Sequence, residues 1–445
     1  MTTPTNSPLN LPPDPRASRR QTRLAWGLVV LGIACALLGG MVYGGRLLID
    51  WIGARPGIFD GPARNDMSEA DELVIAVSPA MQPTFDELVT RFNAQAPEAE
   101  AAANDASASQ RLPIRTLALT PDKMVAESLT PQPQFQALSP DSSLWLHQIE
   151  SQWASEAEGD EEGSIVPLAQ RRTNTPVRYA VSPVVIVAWE SVARELSWPY
   201  ESVGWQQVQR KATEDPNFKW NHPSTNNASG LLATLAEFYA GAGLTRGLTE
   251  EAATDEATLE YVREVEATVR FYGEGEAVIL ERLEAEGCNF LDAFVAQEQR
   301  VIAWNRRQPA ERLVAIYPAE GTLWADHPLA LLELDTLTDA QRATYQAFVS
   351  YLAGPEAQKT LLAEGYRPAD LSLALDGEGS PFQGTEAVDW RQPQTTLQMP
   401  SRQVVEVVQN VWWYTKRPTN VILVVDTSGS MEEGQKMPAT KEALQ

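Results

Sequence analysis

Cysteine and histidine are nearly missing from this chain, which has two of the first and three of the second in 445 residues. Cys35 lies in an apolar run near the N-terminus and Cys288 far downstream. No disulfide framework can therefore staple the fold, which must rely on the size of its core. His147, His222 and His327 fall in separate segments, and the chain contains no H-E-x-x-H, no G-x-S-x-G and no Gly-rich phosphate loop. Those absences remove the common signatures of metallohydrolases, serine hydrolases and nucleotide enzymes, and the expectation is a protein that is not an enzyme. Basic residues are also scarce, with 35 Lys+Arg against 59 Asp+Glu and a formal charge of −24. A surplus of that sign repels phosphate backbones, so nucleic acid is excluded as a partner.

What is present in quantity is apolar side chain, 43% of residues against 21% charged. That is enough to bury cores, and the length exceeds the roughly 250–300 residues that one core serves. The first apolar feature is LAWGLVVLGIACALLGGMVY at residues 24–43, about twenty residues without a charge, the length of a helix across a bilayer. Arg16, Arg19, Arg20 and Arg23 precede it, which predicts a single-pass transmembrane helix with its N-terminus cytoplasmic and the bulk of the chain extracytoplasmic at the cell membrane. A cytoplasmic tail then covers 1–23, and a Pro/Gly/Asn/Asp linker covers 44–70.

From residue 71 onward short strands alternate with helices. ELVIAVSP reads as a strand, and the helix after it places Phe85, Leu88, Val89 and Phe92 on one face. LPIRTLALTP and PDKMVAESLT repeat the unit after PEAEAAANDASAS, a low-complexity surface insertion. Asp141, Ser142 and Ser143 stand before Leu144, Trp145 and Leu146 as helix-capping chemistry. VRYAVSPVVIVAWE reads as a buried strand interrupted at Ser182-Pro183. FKWNHPSTNNASGLLATLAEFYAGAG gives a strand, a polar loop and an apolar helix. LDAFVAQEQRVIAWN and RLVAIYPAEGT read as two more strands, and AQRATYQAFVSYLAGPEAQKTLLAEGY as a helical pair. Such alternation predicts an α/β fold with mainly parallel sheets, in which ligands sit beyond the carboxyl ends of strands. Helix N-termini at those turns suit a small anion or polar solute.

The segments PDSSLW, SPVVIVAWE, HPSTNNASGLLA, AIYPAEGTLWADHP and AGPEAQKTLLAEGYRP, in that order, resemble the two-lobed type II periplasmic solute-binding fold. The form it is similar to is membrane-anchored, extracellular and fused to a von Willebrand factor type A domain. The resemblance implies a solute-binding domain over 71–392, a connecting helix over 393–418 and lobe crossings near Val181 to Val187 and Trp304 to Leu313. It implies cleft residues Ser78, Ser142, Ser143, Ser182, Asn226, Asn227, Ser229 and Tyr317.

TNVILVVDTSGSM ends an apolar strand in Asp426, Ser428 and Ser430, the D-x-S-x-S spacing of a metal-ion-dependent adhesion site. One carboxylate and two hydroxyls are hard donors suited to Mg²⁺ or Mn²⁺ if the domain is complete. The 26 residues from Asn420 to the end match only the start of such a Rossmann-like domain, a fragment over 419–445. The leading functional expectation is a tethered binding or adhesion protein for an unknown small solute or protein partner. The alternative is a solute receptor associated with an ABC transporter.

Overall fold

The computed structural model describes residues 72–95, 111–158, 171–273 and 275–416, with isolated positions at 431, 436 and 437. The chain divides into two compact units, 1–67 and 68–445, and all described residues belong to the second. The apolar run at 24–43, the linker, the low-complexity insertion and the motif Asp426, Ser428 and Ser430 lie outside the described residues. Among the described residues no helix is long and apolar enough to cross a membrane.

The chain opens with β1 (Leu73–Val77), α1 (Gln82–Ala94), β2 (Ile114–Ala118), α2 (Pro121–Ser128), β3 (Ala137–Ser139), α3 (Leu144–Glu158) and β4 (Val177–Arg178). It continues with β5 (Ala180–Trp189), α4 (Glu190–Glu195), α5 (Trp205–Glu214), β6 (Trp220–Pro223), α6 (Ala228–Ala242), α7 (Glu250–Thr254) and α8 (Glu256–Glu266). Then come β7 (Phe271–Gly273), α9 (Glu276–Glu286), β8 (Ala293–Gln297), α10 (Glu298–Arg306), β9 (Leu313–Ile316), β10 (Trp324–Ala325) and β11 (Pro328–Leu331). The last elements are α11 (Asp339–Leu352), α12 (Pro355–Ala363), β12 (Arg367–Pro368) and α13 (Arg402–Thr415).

Two sheets organise these elements into two lobes. The first runs β2-β1-β3-β11-β4, with β1 parallel to β2 and β3 and with β11 antiparallel to its neighbours. The second runs β10-β5-β8-β6-β7, and β9 and β12 also pair β5. The chain enters lobe two between β4 and β5 and returns between β10 and β11. The first crossing falls just before the expected one. The second comes after β9 and not at Trp304 to Leu313, because α10 and β9 both pack within lobe two: β9 pairs β5 from Ile186↔Ile316 to Trp189↔Leu313.

Period two explains how β1 serves two cores. Leu73, Ile75 and Val77 face Phe85, Leu88, Phe92, Phe348 and Leu361, while Val74 and Ala76 join the core containing Met124, Phe135, Leu138 and Ile149. Phe348 meets Phe85 and Phe92 edge-on at centroid separations of 5.5 and 5.0 Å. Three further expectations change. The sheets are not mainly parallel, since β5 runs antiparallel to β8, β9, β10 and β12, and β11 to β3 and β4. β5 runs unbroken through Pro183, which sits where β5 pairs the two-residue β10. A proline that lacks an N–H is tolerated there because that ladder is so short. The segment EQRVIAWN is helix α10 and not strand: Val301, Ile302 and Trp304 are buried together, and Glu298 in the first turn complements the helix dipole.

Phe348→Ala should remove about 3–5 kcal/mol of lobe-one stability. Urea unfolding followed by intrinsic fluorescence checks this, and a loss under 1 kcal/mol would show that the aromatic cluster does not hold α11 to the sheet.

Candidate functional site

The parallel strands of both sheets end at one place. Ser78 follows β1, Thr120 follows β2, Asp141 follows β3, Ser224, Asn226 and Asn227 follow β6, and Gly275 and Glu276 follow β7. These residues, with Pro79, Ala80, Asp122, Lys123 and Val278, line a cavity of about 410 Å³ between the lobes. That is the crevice where a doubly wound sheet binds ligand, here built twice and face to face.

Local chemistry shapes each wall. Asn227 caps α6, its Oδ1 accepting from the Gly230 N–H at 3.1 Å, while its Nδ2 donates to the Ser224 carbonyl at 2.7 Å. Gly230 is required by this packing, since a Cβ there would stand 2.1 Å from the Ser224 carbonyl oxygen. Ser78 is buried, and its hydroxyl hydrogen-bonds Asp141. Asp141 is also buried, and its Oδ1 meets no partner in the protein. Burial first and the nearby Glu276 second push the Asp141 carboxyl up from its ordinary 3.8 to about 7.

Glu276 is the hub of the lobe-two wall. Its Oε1 accepts from the Ser229 hydroxyl and from the Gln297 N–H at 3.1 Å, and its Oε2 pairs with Arg300 Nε at 2.8 Å. Arg300 also donates to the carbonyl of Ala80 in lobe one, which ties the lobes together beside the cavity. His327, at the second crossing, is buried and bonds Gln297 Oε1 through Nε2 at 2.8 Å. Burial and then Arg300 lower its pKa to about 3, so it stays neutral.

Of the residues expected in the cleft, Ser78, Asn226 and Asn227 line this cavity, and Ser229 reaches it through Glu276. Ser142 is buried and accepts from the Leu144 N–H at 3.3 Å, while the Ser143 N–H donates to Asp326 Oδ1 at 2.7 Å. Neither lines the cavity. Ser182 is buried and accepts from the Gln299 N–H at 3.2 Å, so its oxygen is committed to the start of α10. Tyr317 stands elsewhere, beside a broader depression of about 670 Å³ formed within lobe two. Its hydroxyl donates to Glu298 and accepts from the Asp389 N–H at 3.1 Å. Glu298 is in turn clamped by Arg367 through two bonds of 2.9 and 2.7 Å. That arrangement braces the fold around a buried ion pair.

Pattern reading passes over the wall residues Asp141 and Glu276 and over Arg300, which holds Glu276 from behind the wall. Asp141 stood in plain view as a capping residue. Glu276 follows a strand of only three residues, too short to show periodicity, and Arg300 sits in the helix whose apolar residues resemble a strand.

Comparison with known proteins agrees with this architecture. Residues 73–367 match the family described as bacterial extracellular solute-binding protein. That is about two thirds of the chain, and the chain belongs to this family. Its members are solute-binding proteins and generally not enzymes, and an extracellular family implies an extracytoplasmic domain. No curated protein sequence matches this one. Among solved structures, the periplasmic binding protein P5PA aligns with a TM-score of 0.52 at 11% identity, over 78% of this chain and 99% of that one. The periplasmic thiamin binding protein aligns with a TM-score of 0.51 at 12% identity, over 77% and 96%. The sulfate-binding protein SubI from Mycobacterium tuberculosis H37Rv is 17% identical over 68% of this chain and 89% of its own, with a TM-score of 0.45. At these identities the likeness is one of fold.

The Asp141 carboxyl sets a pH dependence. The folded chain holds its proton up to about pH 7, whereas an unfolded Asp releases it near 3.8. The folded state therefore binds the extra proton between those values, and stability falls as pH rises through that window. Asp141→Asn removes this effect. Relative to wild type the variant should gain on the order of 2–3 kcal/mol between pH 5 and pH 8, read from paired urea titrations. A difference that stays constant with pH would show that Asp141 titrates normally.

Proposed function

We propose that the chain is a receptor that captures a small polar solute in the cavity between its lobes, in the manner of the solute receptors that serve ABC transporters. The observation that carries this reading is the convergence of five strand ends from two lobes on one cavity with hydroxyl, amide and carboxylate walls. Family membership supports receptor function over adhesion as the role of the described domain. Tethering by the run at 24–43, and Mg²⁺ or Mn²⁺ at Asp426, Ser428 and Ser430, remain proposals from sequence pattern alone.

The chemistry of the walls narrows the solute. Asp122, Asp141 and Glu276 outnumber Lys123, the one cationic side chain in the lining, and Arg300 is spent on Glu276 and Ala80. An oxyanion entering the cavity would face these carboxylates, and once Asp141 ionises its oxygens would repel the anion and find no donor in it. A solute that brings hydrogen-bond donors satisfies those oxygens, and an ammonium group adds charge-assisted bonding. The solute is thus donor-rich, a polyol or an amine-bearing molecule, in preference to the anion admitted by sequence reading.

Thermal-shift measurements with spermidine, basic amino acids, hexoses, sulfate and phosphate test this. At least one amine or polyol should raise the melting temperature, and sulfate and phosphate should not. Amine binding should tighten as pH rises from 6 to 8. Asp141→Asn should weaken it at least roughly tenfold, the scale of one charge-assisted bond, while Tyr317→Phe should leave it unchanged. Binding of sulfate or phosphate that survives Asp141→Asn would refute the assignment.

A further inference from the structure

A second cluster of titratable groups is buried inside lobe two and takes no part in the cavity. His222 on β6, Glu237 on α6 and Glu266 on α8 are each fully buried, and a ligand-type atom from each lies within 4.8 Å of the others. His222 Nε2 stands 3.6 Å from Glu237 Oε1 and 4.0 Å from Glu266 Oε1. On the other side of the ring, Nδ1 is 2.7 Å from the Pro223 carbonyl oxygen. A carbonyl only accepts, so Nδ1 carries a hydrogen, and Nε2 is the ring atom turned toward the two carboxylates.

No N–H or O–H of another described residue reaches Nε2 or either oxygen of Glu237, and the Glu237 carboxyl lies within hydrogen-bond reach of Glu266. Glu266 is held by two donors, the Trp412 indole N–H at 2.6 Å and the Tyr272 hydroxyl at 2.7 Å. Among the described residues no Lys or Arg forms an ion pair with either carboxylate, and the Lys416 ammonium acts on Glu266 only at longer range. Lys416 lies over the rings of Tyr272, Trp412 and Trp413, and Glu320 adds further negative charge near Glu237.

Three acceptors converging in a dry interior repel one another unless a cation sits among them. One proton shared by Glu237 and Glu266 neutralises a single charge and leaves Nε2 without a donor. A divalent ion neutralises both carboxylates and takes the Nε2 lone pair. Donors about 2.0–2.2 Å from one zinc ion stand roughly 3.3–3.6 Å apart at tetrahedral angles, and about 4 Å apart at wider ones. The outer contacts are also those of a metal site: the ligating imidazole donates its other N–H to a carbonyl, and the ligating carboxylate is itself hydrogen-bonded. We propose that His222, Glu237 and Glu266 form a structural site for a first-row divalent metal ion, with zinc the best match to one imidazole and two carboxylates. It would join β6, α6 and α8, and through Trp412 it would fasten α13, which lies beyond the family match at 73–367, to lobe two.

The experiment uses the full chain carrying Asp426→Ala, so that the C-terminal motif cannot contribute, purified without a metal-affinity step. Elemental analysis should find about one zinc per chain, consistent with one three-ligand site. Unfolding in EDTA and refolding should give a protein whose melting temperature rises on addition of ZnCl₂, and rises less with MnCl₂. Glu237→Gln, nearly isosteric with the protonated acid, should fold yet lose the zinc response. Trp412→Phe should weaken zinc by about 10–100-fold. If the chain refolds to full stability without metal and Glu237→Gln matches or exceeds it, the carboxylates share a proton and the proposal fails. It fails equally if zinc binds but Glu237→Gln does not diminish it.

Discussion

The structure hangs on β5. This ten-residue strand is buried at every position but one and pairs with four others: β12 and β10 along its first half, β8 and β9 along its second. Val, Ile and Ala fill it because both faces are covered, the condition under which a strand reads as a continuous apolar run. It is also the first segment of lobe two after the crossing from lobe one. The position of every lobe-two loop that reaches the cavity is therefore set by the register of this strand. Arg300 extends the constraint: it leaves α10, pairs with Glu276 and bonds the Ala80 carbonyl, so the two lobes meet over one partly buried guanidinium.

Much of this was legible in the residues. The β1–α1 unit, the β6 strand with its polar turn and the apolar α6, and the α11–α12 pair all carry strong periodicity. The two-lobed class comes through the resemblance of the ordered segments to the solute-binding fold. The cavity was half legible. Ser78, Asn226 and Asn227 follow long or well-marked strands, and a polar residue after a buried strand is where a doubly wound sheet meets its ligand. Ser182 and Tyr317 carry the same local signature, yet their oxygens are spent on the N–H of Gln299 and on Glu298. Only the fold tells which polar groups after a strand remain available.

The illegible part has a physical cause. Glu276 and Arg300 act through tertiary pairing 24 residues apart in sequence, with no periodic trace. α10 was misread because a helix with three buried apolar residues in four positions is indistinguishable, over so short a window, from a strand buried on both faces. His222, Glu237 and Glu266 lie in three separate elements, the last in a helix already rich in glutamate. Nothing in their spacing along the chain announces that they converge.

α13 has a mechanical meaning. Its Trp412 indole is buried and bonded to Glu266, while Val404, Val405 and Val408 on the same helix are buried with it. The chain leaves this helix after Lys416 toward its C-terminal end. Any tension applied from that end is borne first by a helix keyed into the interior of lobe two, not by the short strands at the cleft rim. The same helix also packs against α3 of lobe one, so load entering there is shared between the two lobes before it reaches the cleft rim.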